Sequence, residues 1–359
     1  MIPVKQKVLG IDISDTSAEV LCLQKGAFGK PYLHSYNRAS FHPEIFSDGK
    51  ILHKTALSEI LGLLKMRARP YSFRGGLCCV SIPDSRFFIH SLHIPSHFGQ
   101  QERRRGILHE MQKKLPLSLR DVYYDCKEVG RRGENKEYVI AAIPKEIVHD
   151  YTEVLHRAGL LPLAFDMESA SLGRGLLHNN DKNSFVAIVD IGKRYCNVGL
   201  FDNLSFVHSH TVPQGIATLA RTVAKEMDIS ENFAMEKHLS CDTPYSKDDS
   251  LAFEIVYREL RQIIGEIKRI IQHHYNERGA MAEKIILTGG IARMPRMQKV
   301  FQSHFRQPIE VRNPLERIWL KGYEYRAKKN DFFGNIIGLG LRGLSREPHR
   351  EWVNVLKKA

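Results

Sequence analysis

Two aspartates stand at matching places in two similar stretches of the sequence. Asp12 lies in VLGIDISDTSAEVLCL and Asp190 lies in VAIVDIGKRYCNVGLF. Each aspartate ends an apolar run, and a polar bend and a second apolar run follow it. A carboxylate at a strand end can hold Mg²⁺ through the water that this ion retains. We therefore predict that Asp12 and Asp190 hold Mg²⁺ through water if a nucleotide binds. The alternative is that both aspartates only shape their turns.

The bends after the two aspartates have the composition of anion-binding turns. Successive backbone N–H groups in a tight turn form a concave site for an anion, and small residues let a phosphate approach the backbone. A third stretch, ILTGGIA, places two glycines between a strand and a helix, where a nucleotide can lie against exposed backbone. Each motif alone is an ordinary turn, but the three in this order predict a phosphate site. Its predicted residues are Ser14, Asp15, Thr16, Gly192, Lys193, Arg194, Gly289 and Gly290.

The elements that carry these turns alternate between strands and helices. Apolar runs predict strands at 8–23 and again from 185 onward. Apolar residues recur at helical spacing from Leu57 to Leu64 and from Phe253 to Ile271. This alternation favours an α/β fold, with a duplicated mixed sheet flanked by helices. A chain of 359 residues is long for one core, so we predict two lobes that face each other across a cleft.

Three later stretches complete the predicted elements. SCDTPYSKDDS is the most loop-like part of the sequence, whereas RMPRMQKVFQSHF and DFFGNIIGLGLRGL are predicted helices. The six cysteines contain no CxxC pair and lie mostly in apolar runs, which predicts buried reduced thiols. The adjacent His273 and His274 lie on a predicted helix, where neighbours point about 100° apart and cannot bind one metal ion together.

The composition restricts the classes of partner. The net charge of +13 favours acidic partners. No nucleic-acid module and no interleaving of aromatic and basic residues is present, so we expect no nucleic-acid partner. No apolar run approaches the roughly 18–20 residues that cross a bilayer, and MIPVKQKVLGID has no signal-peptide pattern. We therefore expect a cytoplasmic protein. Attraction to the anionic inner face of a membrane explains the basic charge as well as an acidic macromolecular partner does.

Several longer segments carry a resemblance to a known family. They are GIDIS, IHSLHIPSHFGQQERRRGILHEMQKKLPLSLRDVYYD, VIAAIPKEIVHDYTEVLHRAGLLPLAFDMESASLGRGL, VDIG, LTGGIARMP, VRNP and GLGLRG. In this order and spacing they resemble the type IV pilus assembly protein PilM family, which belongs to the actin-like ATPase superfamily and is related to the cell-division protein FtsA. The resemblance covers nearly the whole chain.

The resemblance implies an actin-like two-lobed fold with a small inserted α+β subdomain of the FtsA and PilM type. The implied boundaries are a first lobe core at 1–85 with 161–183, an inserted subdomain at 86–160, a second lobe core at 184–226 with 283–343, a helical subdomain at 227–282 and a basic C-terminal tail at 344–359.

The resemblance also implies a function. It points to a cytoplasmic scaffold, peripheral at the inner membrane of a Gram-negative bacterium, in the assembly platform of a type IV pilus or a related secretion system. The implied partners are the N-terminal peptide of a PilN-like inner-membrane protein and the motor ATPase of the pilus machine, together with self-association. The implied cofactors are ATP and Mg²⁺.

The family's nucleotide-binding positions are only partly kept in this chain. Carried over residue by residue, they add Gly215, Glu236, Lys237 and Ile291 to the predicted site. The sequence departs from the family at five places, which are Ser14, Cys196, Ile216, Ile291 and the out-of-register pair Glu236 and Lys237. Five departures in one pocket predict weak or absent ATP binding and make hydrolysis doubtful.

Three further hypotheses concern single segments. In an active Mg-ATPase or a small-molecule kinase, Asp166 or Glu168 would be a catalytic base; the alternative is a helix N-cap with a first-turn acid. Tyr123, Tyr124 and the strand 86–94 are candidate peptide contacts, with core packing as the alternative. The tail SREPHREWVNVLKKA is either an amphipathic helix on anionic lipid or a solvated end.

Overall fold

The computed structural model describes residues 7–26, 30–47, 49–239, 247–294, 296–320 and 334–345. The described residues fall into two compact units. The first comprises those of 1–176, 314–326 and 333–359, and the second those of 177–313 and 327–332. Apart from its first residue, Ser345, the tail SREPHREWVNVLKKA lies outside the described residues, and so does the sixth cysteine, Cys241. None of the described helices is long and apolar enough to cross a bilayer.

Strands and helices alternate along the chain. The strands are β1 (Leu9–Ser14), β2 (Ser17–Lys25), β3 (Pro31–Ser40), β4 (Phe46–Ser47), β5 (Lys50–Ile51), β6 (Arg69–Pro70), β7 (Leu77–Ile82), β8 (Phe88–Pro95), β9 (Val122–Arg132), β10 (Asn135–Pro144), β11 (Leu161–Met167), β12 (Phe185–Ile191), β13 (Cys196–Asp202), β14 (Ser205–Val212), β15 (Lys284–Gly289) and β16 (Ile309–Glu310). The helices are α1 (Lys54–Met66), α2 (Gln100–Lys114), α3 (Lys145–Arg157), α4 (Glu168–Leu176), α5 (Ile216–Met227), α6 (Glu231–Phe233), α7 (Lys247–Arg278), α8 (Met297–His304) and α9 (Gly334–Gly343).

The first unit is built on a six-stranded sheet in the order β11-β7-β1-β2-β3-β6. β1 is antiparallel to β2 and parallel to β7. α9 packs on β1, β2 and β7. It lies close to β1 because Gly10 has no side chain, and a Cβ at Gly10 would lie 2.9 Å from Leu339 Cβ. Side chains alternate along a strand, so Asp12 lies on the same face as Gly10, toward α9.

A three-stranded sheet in the order β8-β10-β9 forms a smaller part of the first unit. Alternating apolar residues of these strands face α2 and form one core with it; the fully packed members are Leu92, Ile94, Met111, Tyr138 and Ile140. This sheet and helix lie within residues 86–160, for which the family resemblance implies an inserted α+β subdomain.

The second unit repeats the arrangement of the first sheet. Its five strands lie in the order β14-β13-β12-β15-β16, with β12 antiparallel to β13 and parallel to β15. β12 and β13 thus correspond to β1 and β2, and β15 corresponds to β7. The duplicated mixed sheet that the paired aspartate turns predict is therefore confirmed.

Two predicted boundaries are wrong. The helix predicted for RMPRMQKVFQSHF begins only at Met297, because Met294 is extended before a proline and Arg296 has a φ of 68°. The predicted loop SCDTPYSKDDS is helical in its last part, since α7 begins at Lys247. Five described cysteines are free thiols and four of them are buried, as predicted; burial raises the pKa of Cys22 to about 12.

Candidate functional site

The first predicted phosphate turn is a tight hairpin between β1 and β2. Ser14 ends β1, and its hydroxyl donates a hydrogen bond to the Ser17 carbonyl at 3.1 Å. The Ser14 and Ser17 hydroxyls lie 2.9 Å apart. Asp15 and Thr16 form the bend and are half-buried. Ser14 is not among the residues with positive φ, so a serine fits this place without backbone strain.

Asp12 is held by two side chains that the sequence did not predict. Ser81 Oγ and Asn335 Nδ2 each donate a hydrogen bond of 2.7 Å to Asp12 Oδ1, and Asn335 Nδ2 lies 3.1 Å from Ser81 Oγ. Burial raises the pKa of Asp12 above its ordinary value, against the lowering effect of these hydrogen bonds and of the Arg38 charge. Asp12 is therefore tied to β7 and α9.

The second predicted turn joins β12 to β13. The Gly192 N–H donates to the Tyr195 carbonyl at 2.9 Å, and the Arg194 guanidinium lies 5.7 Å from the centre of the Tyr195 ring. Asp190 pairs with Asn197 on one side and with Thr288 on the other. Cys196 is fully buried at the start of β13, and burial, followed by the negative charge of Asp190, raises the pKa of its thiol well above the ordinary value.

Gly289 ends β15 against the Asp190 carboxylate. Its φ of 79° lies in the left-handed region, and a Cβ at this position would overlap Asp190 Oδ1 and lie 2.6 Å from the Ile191 carbonyl oxygen. Only glycine combines this backbone conformation with so close an approach. The structure thus brings Asp190, Gly192 and Gly289 together, as predicted for one phosphate site.

The N-terminus of α5 is occupied by the second turn itself. The first N–H groups of a helix have no partner inside the helix and can bind an anion. Here the Ile216 N–H donates to the Gly192 carbonyl at 3.0 Å, and the Ala217 N–H donates to the Lys193 carbonyl at 2.8 Å. Gly215 allows this contact, since a Cβ there would lie 2.7 Å from both carbonyl oxygens. These two donors hold the protein's own loop.

Ile216 fills the space beside the glycine pair. A Cβ at Gly290 would overlap Ile216 Cδ1, and the Ile216 side chain is only 7% exposed. Ile291, which follows Gly290 in a 3-10 turn, is fully buried. The glycine pair therefore faces an apolar side chain where a phosphate or a nucleoside would need polar contacts. The residues present fit Mg-ATP poorly.

The remaining predicted residues lie near α5. Glu236 and Lys237 belong to a π-helical turn, Ala234–His238, that packs against α5. Glu236 is exposed, whereas the side chain of Lys237 lies outside the described part of the chain. Asp12, Ser14, Asp15 and Thr16 belong to the first unit and the other predicted residues to the second.

Comparison with known proteins finds relatives in pilus assembly and in cell division. The family described as type IV pilus assembly protein PilM matches residues 10–343. The chain belongs to this PilM family. FtsA of Helicobacter pylori strain J99 is 21% identical over 262 residues, covering 66% of this chain and 53% of FtsA. FtsA of Bacillus subtilis is 22% identical over 228 residues, covering 58% and 52%. The chain thus spans about half the length of the curated relatives it matches.

Solved structures show that the fold is actin-like. A chain of a PilM-PilN type IV pilus biogenesis complex superimposes with a TM-score of 0.81 at 16% identity, covering 95% of this chain and 99% of that one. The ethanolamine utilization protein EutJ of Carboxydothermus hydrogenoformans gives 0.57 at 12% identity, covering 93% and 89%. MreB 5 of Spiroplasma citri bound to AMPPNP gives 0.51 at 11% identity, covering 94% and 96%.

Asp166 is neither a helix N-cap nor an accessible base in this PilM family member. It lies inside β11 with no exposed surface, and the Arg342 and Arg174 guanidinium groups contact its Oδ2 at 2.8 and 3.0 Å. Burial acts to raise the pKa of Asp166, but the two guanidinium charges hold it below its ordinary value. Asp166 is therefore not available as the catalytic base that the kinase hypothesis requires. Glu168 begins α4, where it is the predicted first-turn acid.

The candidate peptide contacts are only partly exposed. Tyr123 and Tyr124 are half-buried; the Tyr123 hydroxyl lies 3.1 Å from His149 Nε2, and Tyr124 packs against the core under α2. Arg86 belongs to a 3-10 turn, and the following strand begins at Phe88. Tyr123 therefore remains the better candidate, since core packing accounts for Tyr124.

Proposed function

We propose that this chain is a scaffold of the inner-membrane assembly platform of a type IV pilus or a related secretion system. It binds the N-terminal peptide of a PilN-like membrane protein from the cytoplasmic side of a Gram-negative cell. The observation that carries this proposal is the likeness, over 95% of the chain, to a chain of the PilM-PilN complex. Contact with the motor ATPase and self-association extend the proposal to further partners.

Ile216 fills the space beside Gly289 and Gly290, which favours a scaffold over an enzyme. The α5 donors hold the loop at Gly192 and Lys193, and Ile216 lies against Gly290. An ATPase or kinase needs donors and a metal ion aimed at the transferred phosphoryl group. In this proposal the peptide binds the first unit, between its six-stranded sheet and its three-stranded sheet. An extended or helical peptide in a groove is a common mode of recognition.

Ion pairs link α1 to α3 within the first unit. Lys54 on α1 contacts Asp150 at 2.6 Å and Glu153 at 2.7 Å on α3. These three side chains are a third or more exposed, so water and salt screen each pair and it contributes little to stability. α3 packs on α1 across these pairs, and His149 on α3 lies 3.1 Å from the hydroxyl of Tyr123, the candidate peptide contact.

Calorimetric titration tests the proposal. We expect the peptide of the PilN-like partner to bind in the micromolar range and a scrambled peptide not to bind, while ATP with Mg²⁺ gives no measurable heat. In Ile216→Gly, ATP binding is expected to become measurable by the same titration, because the substitution empties the space beside Gly290 and uncovers polar backbone. Ile216→Val keeps an apolar side chain there and serves as the matched control.

Two results would contradict the proposal. Failure of the peptide to bind would remove the scaffold function. Tight ATP binding by the unaltered protein, abolished in Asp190→Ala, would instead support the alternative of an active Mg-ATPase or small-molecule kinase.

A further inference from the structure

One side of α7 combines aromatic rings with cations. Residues on one side of a helix recur every three or four positions. At about 100° per residue, a sector of about 80° contains Phe253, Tyr257, Arg261 and Lys268. Arg261 and Lys268 are exposed, and the two aromatic side chains are half-buried. The four residues extend about 22 Å along the helix axis.

α8 packs against this side of α7 and adds two further side chains to it. The Arg296 guanidinium, just before α8, lies 6.0 Å from the centre of the Phe253 ring. His304, at the end of α8, places its Nε2 at 3.3 Å from the Tyr257 hydroxyl. We call the surface that these side chains form the α7–α8 face; its residues are Phe253, Tyr257, Arg261, Lys268, Arg296 and His304.

Carboxylates leave most of the charge of the α7–α8 face uncompensated. Within the described residues, no carboxylate lies within ion-pair distance of Arg261 or Lys268. α8 contains no carboxylate. Among the α7 carboxylates whose side chains the structure describes, Glu254 lies beside the face, about 10 Å along the axis from Arg261. The others lie on the opposite side of the helix; they are Glu259, Glu266 and Glu277.

The surroundings of His304 reflect this excess of positive charge. Burial, followed by the charges of Lys268 and Arg261, lowers the pKa of His304 below its ordinary value. The Lys268 ammonium itself lies 5.6 Å from the centre of the Phe305 ring. The face therefore presents cations to solvent beside aromatic rings.

The flat sides of the aromatic rings are already in contact with other groups. The Phe253 and Tyr257 rings stack with their centres 6.5 Å apart, and the His304 ring centre lies 5.9 Å from that of Tyr257. A nucleic-acid base needs an open ring face on which to stack, and a lipid interface needs apolar side chains that can enter it. Half-buried, stacked rings offer neither. Aromatic side chains beside arginine are instead typical of protein–protein interfaces.

We propose that the α7–α8 face binds an acidic segment of another polypeptide. Carboxylates of the segment pair with Arg261 and Lys268, and an apolar side chain contacts the exposed edges of Phe253 and Tyr257. Complementary charge of this kind selects the partner and speeds association more than it adds affinity. The inference goes beyond the proposed function, since it concerns the second unit and a second partner, whereas the PilN-like peptide is assigned to the first unit.

Fluorescence anisotropy with the full chain tests the proposal. The probe is a short labelled peptide of Glu-Glu-Leu repeats. We expect it to bind at about 0.1 M salt and to be released at about 0.5 M, where screening is stronger. The double variant Arg261→Gln, Lys268→Gln is expected to raise the dissociation constant by at least about 5-fold, because it removes two exposed ion pairs with the probe. No binding of the probe at the lower salt concentration would overturn the proposal.

A second double variant controls for net charge. Lys182→Gln and Lys225→Gln remove the same charge from exposed positions of the second unit that are not part of the face. We expect this variant to change the dissociation constant by less than about 2-fold, because distant exposed charges are screened. Equal losses in the two variants would overturn the proposal in favour of non-specific attraction. Circular dichroism of both variants checks that each is folded.

A labelled oligothymidylate separates an acidic polypeptide from a nucleic acid. If it bound more tightly than the peptide probe and lost affinity in Arg261→Gln, Lys268→Gln, the face would be a nucleic-acid site and the proposal would be wrong. The N-terminal peptide of the PilN-like partner should bind this double variant as it binds the unaltered protein. The two proposals therefore fail independently.

Discussion

Replacing Asp166 by asparagine is expected to lower the free energy of unfolding by about 3–5 kcal/mol. The change keeps the size of the side chain but removes the charge that faces Arg342, which has no exposed surface. A guanidinium buried without its counterion pays its full cost of desolvation. Urea denaturation of the purified variant, followed by circular dichroism, measures the loss.

An exposed pair supplies the matched control for Asp166→Asn. Glu266 and Arg269 form an ion pair one turn apart on α7, and their side chains are 42% and 70% exposed. Glu266→Gln is expected to change stability by less than about 0.5 kcal/mol, because water solvates both charges. If Asp166→Asn were equally mild, the buried pair would not hold β11 to α9.

A double-mutant cycle separates the ion pair from the rest of the site. Arg342→Met is expected to lower the free energy of unfolding strongly in the unaltered protein and much less in the Asp166→Asn background, because the charge it removes there no longer has its partner.

The stability of the protein should also depend on pH through Asp166. The pKa of Asp166 is below its ordinary value in the folded protein, so its contribution is complete above about pH 4 and is lost as the pH falls further. Asp166→Asn should lack this part of the acid sensitivity.

The paired turns were predictable from the sequence for a physical reason. An apolar run, an aspartate, a polar bend and a second apolar run together specify a hairpin that is buried on both strands. Because this pattern occurs at Asp12 and again at Asp190, it also indicates that the sheet is duplicated. The family resemblance added the inserted subdomain, which composition alone does not reveal.

The partners of Asp12 and Asp166 were not predictable in this way. Ser81 lies within the apolar run LCCVSI, and Asn335 is 323 positions from Asp12 in the sequence. Arg342 follows the apolar repeat of α9, where an arginine is normally expected at the surface. Each contact depends on strand order and helix placement, which local patterns do not determine. The sequence shows that Ile216 departs from the family's pattern. Its contact with Gly290, which is 290 − 216 = 74 positions later, depends on the fold and is not visible in the sequence.

Gly338→Ala is the second substitution with a large expected effect. A Cβ at Gly338 would overlap the Ser171 carbonyl oxygen on α4, and the backbone of α4 cannot move aside as a flexible side chain would. We expect a loss of about 2–4 kcal/mol in the free energy of unfolding, since overpacking forces the two helices apart. The same separation would pull Arg174, which contacts both Asp166 and the Gly338 carbonyl, away from its partners.

Two other helical glycines separate this packing effect from helix propensity. Gly62 in α1 and Gly265 in α7 have no atom within 4 Å of an added Cβ. Gly62→Ala and Gly265→Ala are therefore expected to raise stability by about 0.5–1 kcal/mol, the ordinary gain from replacing a glycine inside a helix. Thermal and urea denaturation of the three variants under the same conditions measure their free energies of unfolding and so distinguish the packing effect from helix propensity. A Gly338→Ala protein as stable as Gly265→Ala would show that α4 and α9 do not depend on close backbone contact; a large loss confined to Gly338 would show that this contact sets the depth at which Asp166 and Arg342 are buried.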